Sequence, residues 1–499
     1  MTSTRLVALV CALSLLLAGC AGGALRARSG PEPAGPASTG ERPNIVFVLV
    51  DDMDQGLVRF MPHLQQLQKQ GVTFSNFTVT DSLCCPSRSS ILTGKFPHNT
   101  GVFTNKPPDG GFEVFHREQE RDTIGTQLQQ AGYRTGFLGK YLNGYQPADK
   151  LGGDRPFVPP GWHEWAVAGN GYPGYDYQLN VNGNLVEHGD EPGDYLTDVL
   201  AGRGNDFIRH SGATGEPFFL EVAPFVPHTP STPAPRDVNE FPGLTAPRDP
   251  SFNEPDRSDK PEWLRQRPPL TPDQLATLDP AFRKRAQSLQ AVDDMLAGFQ
   301  QTLAATGQAD RTQIVFSSDN GYHLGQHGLL QGKQTAFSTD VNVPLIAAGP
   351  GIPAGRTVDQ TVENIDLRPT FAELAGAPPS PDVDGQSFAG LLRGDPAPSA
   401  KNVALVEHHG PNNGKHDPDR QAPASGNPPT YTAIRTTEGN YVEYTTGERE
   451  YYDRARDPYE LDNTYPALSP GQQAALHDTL TRLAQCRGTA QCAAAAHLP

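Results

Sequence analysis

The chain has 499 residues, enough for one large domain plus a smaller one around a substantial core. Its 40 Lys and Arg against 56 Asp and Glu leave a formal net charge of -16, which excludes a nucleic-acid binder, because phosphate neutralisation needs a basic face. The same balance gives no general attraction for a long sulfated polymer, so an anionic substrate has to be met by a few local cations or a metal. The 51 Gly and 48 Pro predict many ordered loops.

Arg5 precedes an apolar run from Leu6 to Leu17, too short for a comfortable membrane span and followed by Ala18-Gly19-Cys20. The pattern predicts a lipoprotein signal peptide over residues 1–19, with Cys20 as the lipid acceptor and a protein anchored at a bacterial cell surface. Plain secretion and an uncleaved anchor stay open as alternatives. Residues 20–42, rich in Gly, Pro, Ala and Ser, read as a flexible tether. Membrane contact is expected only through the lipid.

The continuous run Asn44-Ile45-Val46-Phe47-Val48-Leu49-Val50 predicts a strand buried on both faces of a sheet, and it ends in Asp51-Asp52. Carboxylates at the carboxyl end of such a strand sit where open α/β sheets place their sites. Two adjacent carboxylates are reconciled by a divalent cation, although a solvated acidic turn explains this pair alone equally well. Met61 to Gln70 reads as a short helix and Thr73 to Val79 as a strand.

The latter delivers the chain to Leu83-Cys84-Cys85-Pro86-Ser87-Arg88-Ser89-Ser90-Ile91-Leu92-Thr93-Gly94. A nucleophile at a helix start gains from the positive end of the dipole, and an adjacent Arg holds an anionic ester with two prongs. A buried structural Cys in an ordinary turn is the bland alternative.

Further along, Thr123 to Ala131 reads as a helix, Tyr133 to Gly139 as a strand ending at Lys140, and Pro217 to Ala223 as a buried strand leading to Pro227-His228. Thr229 to Pro280, dense in Pro, reads as a long surface excursion, and Arg283 to Leu303 as one amphipathic helix. Its Asp293-Asp294 pair is expected to be solvated or capping. Thr312 to Ser318 is another strand, and Asp319-Asn320 follows it. Two strands ending in Asp-Asp and Asp-Asn predict a shared oxygen-lined metal site, for which Ca²⁺ suits a crowded carboxylate shell better than Mg²⁺.

Val343 to Ala347 is expected to be the last central strand, and Leu367 to Ala375 a helix. Strand-like pieces at Val403–Val406, Thr430–Thr436 and Asn440–Thr445, then a helix from Pro470 to Cys486, predict a small α+β domain over residues 395–499, after a main domain over 43–394. His408, His409 and His416 read as exposed loop residues, since no ligand spacing is recognisable. Cys486 and Cys492 are expected to pair in an exported protein, with two free thiols as the alternative.

The word Cys84-x-Pro86-Ser87-Arg88-x-x-x-x-Thr93-Gly94 resembles the sulfatase signature, and the order of features resembles that family along the exported chain. Cys84-Cys85-Pro86-Ser87-Arg88, Pro97-His98-Asn99, Gly139-Lys140-Tyr141-Leu142-Asn143, Pro159-Pro160-Gly161-Trp162, Pro233-Ala234-Pro235-Arg236 and Ala281-Phe282-Arg283-Lys284-Arg285 are most similar to the N-acetylglucosamine-6-sulfatase and extracellular heparan-sulfatase branch. The resemblance implies an alkaline-phosphatase-like α/β fold with a mainly parallel central sheet flanked by helices.

It also implies a sulfuric ester hydrolase, of arylsulfatase or N-acetylglucosamine-6-sulfatase type, acting on a sulfated carbohydrate or small sulfate ester. Cys84 would be converted to formylglycine by a separate formylglycine-generating enzyme, and the aldehyde hydrate would be the nucleophile. Asp51, Asp52, Asp319 and Asn320 match Ca²⁺ ligands, with modified Cys84 touching the same ion. Arg88 and Lys140 match residues that hold the hydrate and the sulfate, His228 one that contacts the ester, and Lys333 one near the leaving oxygen.

Two positions depart from the pattern. Leu142 stands where many members have a histidine, leaving Asn143 or His98 to fill in, and Ser338 stands where an acidic residue often orients the lysine. His323 and His327 read equally well as site-lining or structural. The loops Gly161 to Tyr177 and Arg236 to Arg267 are expected to shape the pocket. A phosphate or phosphonate ester hydrolase on the same fold, and a non-catalytic cell-surface glycan-binding protein, are the competing readings.

Overall fold

Asn44–Val50 is buried along its whole length because its side chains alternate between two apolar layers. Ile45, Phe47 and Leu49 join one core and Val46, Val48 and Val50 another, so both faces of the strand require apolar residues. In this computed structural model, which describes residues 42–396, 401–412, 417 and 419–498, it is the fifth strand of a ten-stranded sheet. The signal peptide, Cys20, the tether before Arg42 and His416 lie outside the described residues.

The strands are β1 (Asn44–Val50), β2 (Val72–Phe74), β3 (Arg134–Lys140), β4 (Glu164–Ala168), β5 (Tyr177–Val181), β6 (Asn184–His188), β7 (Phe218–Ala223), β8 (Thr312–Ser318), β9 (Leu345–Ala348) and β10 (Arg356–Val358). Their spatial order is β10-β2-β9-β8-β1-β7-β3-β4-β5-β6. The central strands β8, β1, β7, β3 and β4 are parallel, while β9 and β5 run against them. The expected last central strand is therefore antiparallel, and it starts at Leu345, after Pro344, which cannot donate to a ladder.

Helices cover both faces. α1 (Pro62–Gln70), α3 (Leu196–Thr214), α4 (Pro272–Ser288) and α5 (Gln290–Ala305) pack on the Val46 side. On the Phe47 side lie α2 (Cys84–Thr93) and α6 (Leu367–Leu374). The single helix expected over Arg283–Leu303 is instead α4 and α5, meeting at Leu289. α4 begins well inside the supposed Pro-rich excursion, because Thr271 and Gln274 form a reciprocal cap and Pro272 occupies the first turn, where its missing N–H costs nothing. Asp293 on α5 accepts from the backbone N–H groups of His63 and Leu64, both at 2.9 Å, and so caps α1.

The expected strand over Thr73–Val79 is split, with β2 followed by a turn and then a two-residue ladder at Phe77–Thr78. Strands β4 to β6 and helix α3 carry weak local patterns, and the sequence reading did not find them.

Beyond residue 401 a separate antiparallel sheet follows: β11 (Ala404–His408), β12 (Tyr431–Arg435), β13 (Gly439–Tyr444) and β14 (Arg449–Asp453), in that order. α7 (Pro470–Leu483) packs Leu476, Leu480 and Leu483 on Leu405, Ile434 and Tyr441 of this sheet. Cys486 and Cys492 form a disulfide behind it. His408 is fully buried at the end of β11, not exposed, and His409 lies stacked on Phe103.

Candidate active site

The carboxyl ends of the parallel strands deliver the charged residues to one place. Asp51 and Asp52 follow β1, Asp319 and Asn320 follow β8, Lys140 ends β3, and His228 lies five residues beyond β7. Gly139 lets β3 reach that position: a side chain there would meet the carbonyl oxygen of Ala223 at 2.1 Å. Asp52 has a left-handed backbone (φ 67°), fixed by its N–H donating to Asp319 Oδ1 at 3.0 Å and by Arg285 donating to its carbonyl.

Cys84 opens α2, and every residue of that ten-residue helix is buried. Gly94 ends it in the left-handed region (φ 70°), returning its N–H to Ser90 O at 2.8 Å. The Cys84 sulfur lies 3.1 Å from Asp51 Oδ1 and 3.8 Å from Asp52 Oδ1. Burial pushes the thiol well above its ordinary range, and the charges of Asp319, Asp419 and Asp51 push it further. As a thiol it is a poor nucleophile.

Lys333 Nζ donates to Asp52 Oδ1 at 2.6 Å and Cys84 Sγ at 2.9 Å, and it forms an ion pair with Asp419 Oδ1 at 2.7 Å. These partners set its orientation without an acidic residue at position 338. Lys140 Nζ donates to Asp51 Oδ2 at 2.5 Å. Arg88 donates Nε to Asp319 Oδ2 at 2.8 Å and Nη1 to the Lys140 carbonyl at 3.0 Å, while its buried Nη2 has no hydrogen-bond partner. Burial opposes ionisation of Asp319, but Arg88, Lys140 and Lys333 outweigh it and hold that carboxyl well below its usual range.

His228 Nδ1 faces the Thr229 carbonyl and Nε2 faces Asp419 Oδ1, both at 2.7 Å. Both partners only accept, so both nitrogens carry protons and the ring is cationic. Burial works against that charge, and Asp52, Asp51 and Asp419 restore it, raising the imidazole above its ordinary value.

Asp419 is the site residue that sequence reasoning missed. It enters from the C-terminal part of the chain, 191 residues after His228, in a loop without recognisable periodicity. The Asp417-Pro418-Asp419-Arg420 cluster was its only local trace.

Other candidates fall outside. His98 is committed to Glu407 and the Cys486 carbonyl, each at 2.8 Å, and so does not supply the absent histidine. Leu142 belongs to the apolar core. His323 holds Asp340 at 3.0 Å and Ser425 O at 2.9 Å, while His327 holds Glu254 at 2.8 Å. Both are structural. Asn143 donates to Asp419 Oδ2 at 3.5 Å, and Tyr172, from one of the loops expected to shape the pocket, lies over Lys140 Nζ at 5.0 Å.

Ligand atoms of Asp51, Asp52, Cys84 and Asp319 lie within 4.8 Å of one another. Asp52 Oδ2 and Asn320 Oδ1 are buried there with no hydrogen-bond partner. Unpaired buried oxygens are costly, and a hard cation would satisfy both.

The sulfatase family model matches residues 43–377, and that of the N-sulphoglucosamine sulphohydrolase C-terminal region matches 325–486. An N-acetylglucosamine-6-sulfatase of Capra hircus is 35% identical over 483 residues, 91% of this chain and 86% of its own. An extracellular sulfatase of Drosophila melanogaster is 38% identical over 357 residues, 70% of this chain and 31% of its own. A solved structure of a protein in complex with its substrate D-glucosamine-2-N,6-O-disulfate superposes with a TM-score of 0.74 at 22% identity, covering 88% of this chain and 97% of that one. The signature word, the fold and matches over most of the chain agree: this protein belongs to the sulfatase family and is a sulfuric ester hydrolase.

Proposed function

We propose that the protein removes the 6-O-sulfate of an amino sugar, with Cys84 converted to formylglycine before the enzyme works. The observation that carries this reading is the position of Cys84 Sγ, 2.9 Å from Lys333 Nζ and 3.1 Å from Asp51 Oδ1 at the start of α2, inside the signature word. A thiol this strongly disfavoured as thiolate supports a modified side chain as the working group. Likeness to a glucosamine-6-sulfatase supports the substrate.

Asp51, Asp52, Asp319 and Asn320 would hold a divalent cation, with Ca²⁺ favoured over Mg²⁺ by the crowded, irregular carboxylate shell. When bound, the cation and the aldehyde hydrate supply positive charge and a nucleophilic oxygen. The side chains do the rest. Lys140 and the free Nη2 of Arg88 hold the anionic ester oxygens, and Lys333 counters charge on the leaving oxygen. His228, held by Thr229 and Asp419, adds positive charge on the leaving-group side.

Export with Cys20 lipidated belongs to the same reading, as does maturation by a formylglycine-generating enzyme. Labelled palmitate should enter the wild-type protein and not Cys20→Ala. The decisive experiment is mass spectrometry of the tryptic segment containing Cys84 after co-expression with the converting enzyme, paired with hydrolysis of glucosamine 6-sulfate. An unconverted Cys84 in a protein that still cleaves the sugar sulfate would sink the mechanism. A converted protein that cleaves only simple aryl sulfates would sink the substrate.

A further inference from the structure

Asp419 places a fixed negative charge beside the groups that have to receive an anion. Its Oδ1 accepts from His228 Nε2 and pairs with the Lys333 ammonium, both at 2.7 Å, and its Oδ2 accepts from Asn105 Nδ2 at 2.6 Å and Asn143 Nδ2 at 3.5 Å. Its backbone N–H donates to Asp417 Oδ1 at 2.9 Å, and its carbonyl accepts from the side-chain amides of Gln334 at 3.0 Å and Gln421 at 2.9 Å. Asp419 is 3% exposed. Swinging the carboxylate away would leave buried cations and amides unpaired, so the charge stays when a ligand enters. Asn105 also accepts the backbone N–H of Cys85 at 3.1 Å, which ties Asp419 to the start of α2.

With Asp52, His228 and Lys333, Asp419 lines a cavity of about 170 Å³. Around it the side chains of Arg88, Lys140, Lys333 and His228 face those of Asp51, Asp52, Asp319 and Asp419 in ion pairs. A divalent ion then adds two positive charges. A singly charged ester and one ionised hydroxyl of the hydrate use both. A doubly charged ester exceeds them, and the excess charge faces Asp419 in a buried setting where water screens it poorly.

We propose that Asp419 is a specificity-determining residue that selects singly charged esters, sulfate and phosphonate monoesters alike, over the dianions of phosphate monoesters. This rests on the site assignment given above.

The test compares sulfate, phosphonate and phosphate esters of one leaving group on formylglycine-bearing protein between pH 5 and pH 8. Ratios of kcat/KM cancel the enzyme's own titration. For the wild type, the phosphate-to-sulfate ratio should fall by about tenfold per pH unit above the second phosphate ionisation near 6, as the monoanion disappears. The phosphonate-to-sulfate ratio should stay level.

Asp419→Asn keeps the size of the side chain and removes its charge, and Asp419→Ser is a smaller second variant. Either should raise the phosphate-to-sulfate ratio at pH 8 at least tenfold, whatever its absolute loss. A level wild-type phosphate ratio overturns the proposal even if neither variant folds, and so do variants whose ratio stays within twofold of wild type. A formylglycine-bearing wild type that cleaves no sulfate ester overturns the site assignment itself.

Discussion

Cys84 sits where three physical demands meet: a helix start, two carboxylates after β1, and the ammonium of Lys333. If Cys84 is the precursor of the working group, as proposed, replacing it with Ala should lower kcat/KM on a sulfate ester by at least about 10³-fold, measured on metal-loaded protein of unchanged melting temperature. Lys333→Ala should cost about 10²-fold or more in kcat, and the loss should grow with the pKa of the leaving alcohol, since a poor leaving group needs the cation most. A loss equal across a series of aryl and alkyl sulfates would remove Lys333 from the leaving-group side.

At the scale of elements, single polar groups hold large pieces together. Asp293 caps α1 from α5, and Asp293→Ala leaves two backbone donors of α1 without their acceptor. A loss of about 1–2 kcal/mol in stability is expected, with activity on saturating substrate retained, read by thermal melting beside kcat.

Strand β7 carries a different kind of group. Glu221 is buried there beside Phe47 of β1 and Phe137 of β3, and burial, opposed by the Arg88 charge, raises its carboxyl to about 8 from an ordinary 4.5. The folded protein therefore keeps a proton that the unfolded chain releases. Stability falls as pH rises from the unfolded value towards about 8 and levels off above it. The cost is on the order of 1.4 kcal/mol for each pH unit crossed. Glu221→Gln should flatten that slope, so its melting temperature relative to wild type should climb between pH 5 and pH 8. A constant difference would show that Glu221 is ionised in the folded state.

For the molecule as a whole, the unpaired buried oxygens of Asp52 and Asn320 carry a cost that a divalent cation would offset. Chelation should abolish sulfate hydrolysis and lower the melting temperature, and restored Ca²⁺ should recover both, since an ion bound only to the folded state stabilises by about 2.7 kcal/mol at one hundred times its dissociation constant. The net charge of -16 acts at longer range. For a long sulfated polymer kcat/KM should rise with added salt as repulsion is screened, whereas for a sulfated monosaccharide it should change little.

Much of this protein is written locally. The runs of β1, β7 and β8 announce buried strands because a two-sided sheet demands apolar residues at every position, and the acidic and amide residues behind β1 and β8 mark the site because strand ends are where the backbone turns towards solvent. The Cys84 to Gly94 word is contiguous because a helix start, a turn and an arginine act together within a few residues. Signals that depend on partners were not legible. β9 runs antiparallel because of the strands beside it, His408 is buried because the small sheet packs there, and α4 begins inside a Pro-rich stretch because Thr271 and Gln274 cap it. Asp419 is the clearest case. Its sequence context is an unpatterned loop, and only the packing of the C-terminal part against the large sheet brings its carboxylate to Lys333 and His228. The sequence alone determined the family, the acidic strand ends and the cysteine of the signature word, because each is a local pattern. The tertiary structure decided the charge balance at the centre of the site, because electrostatic interaction depends on distance in space and not on separation along the chain.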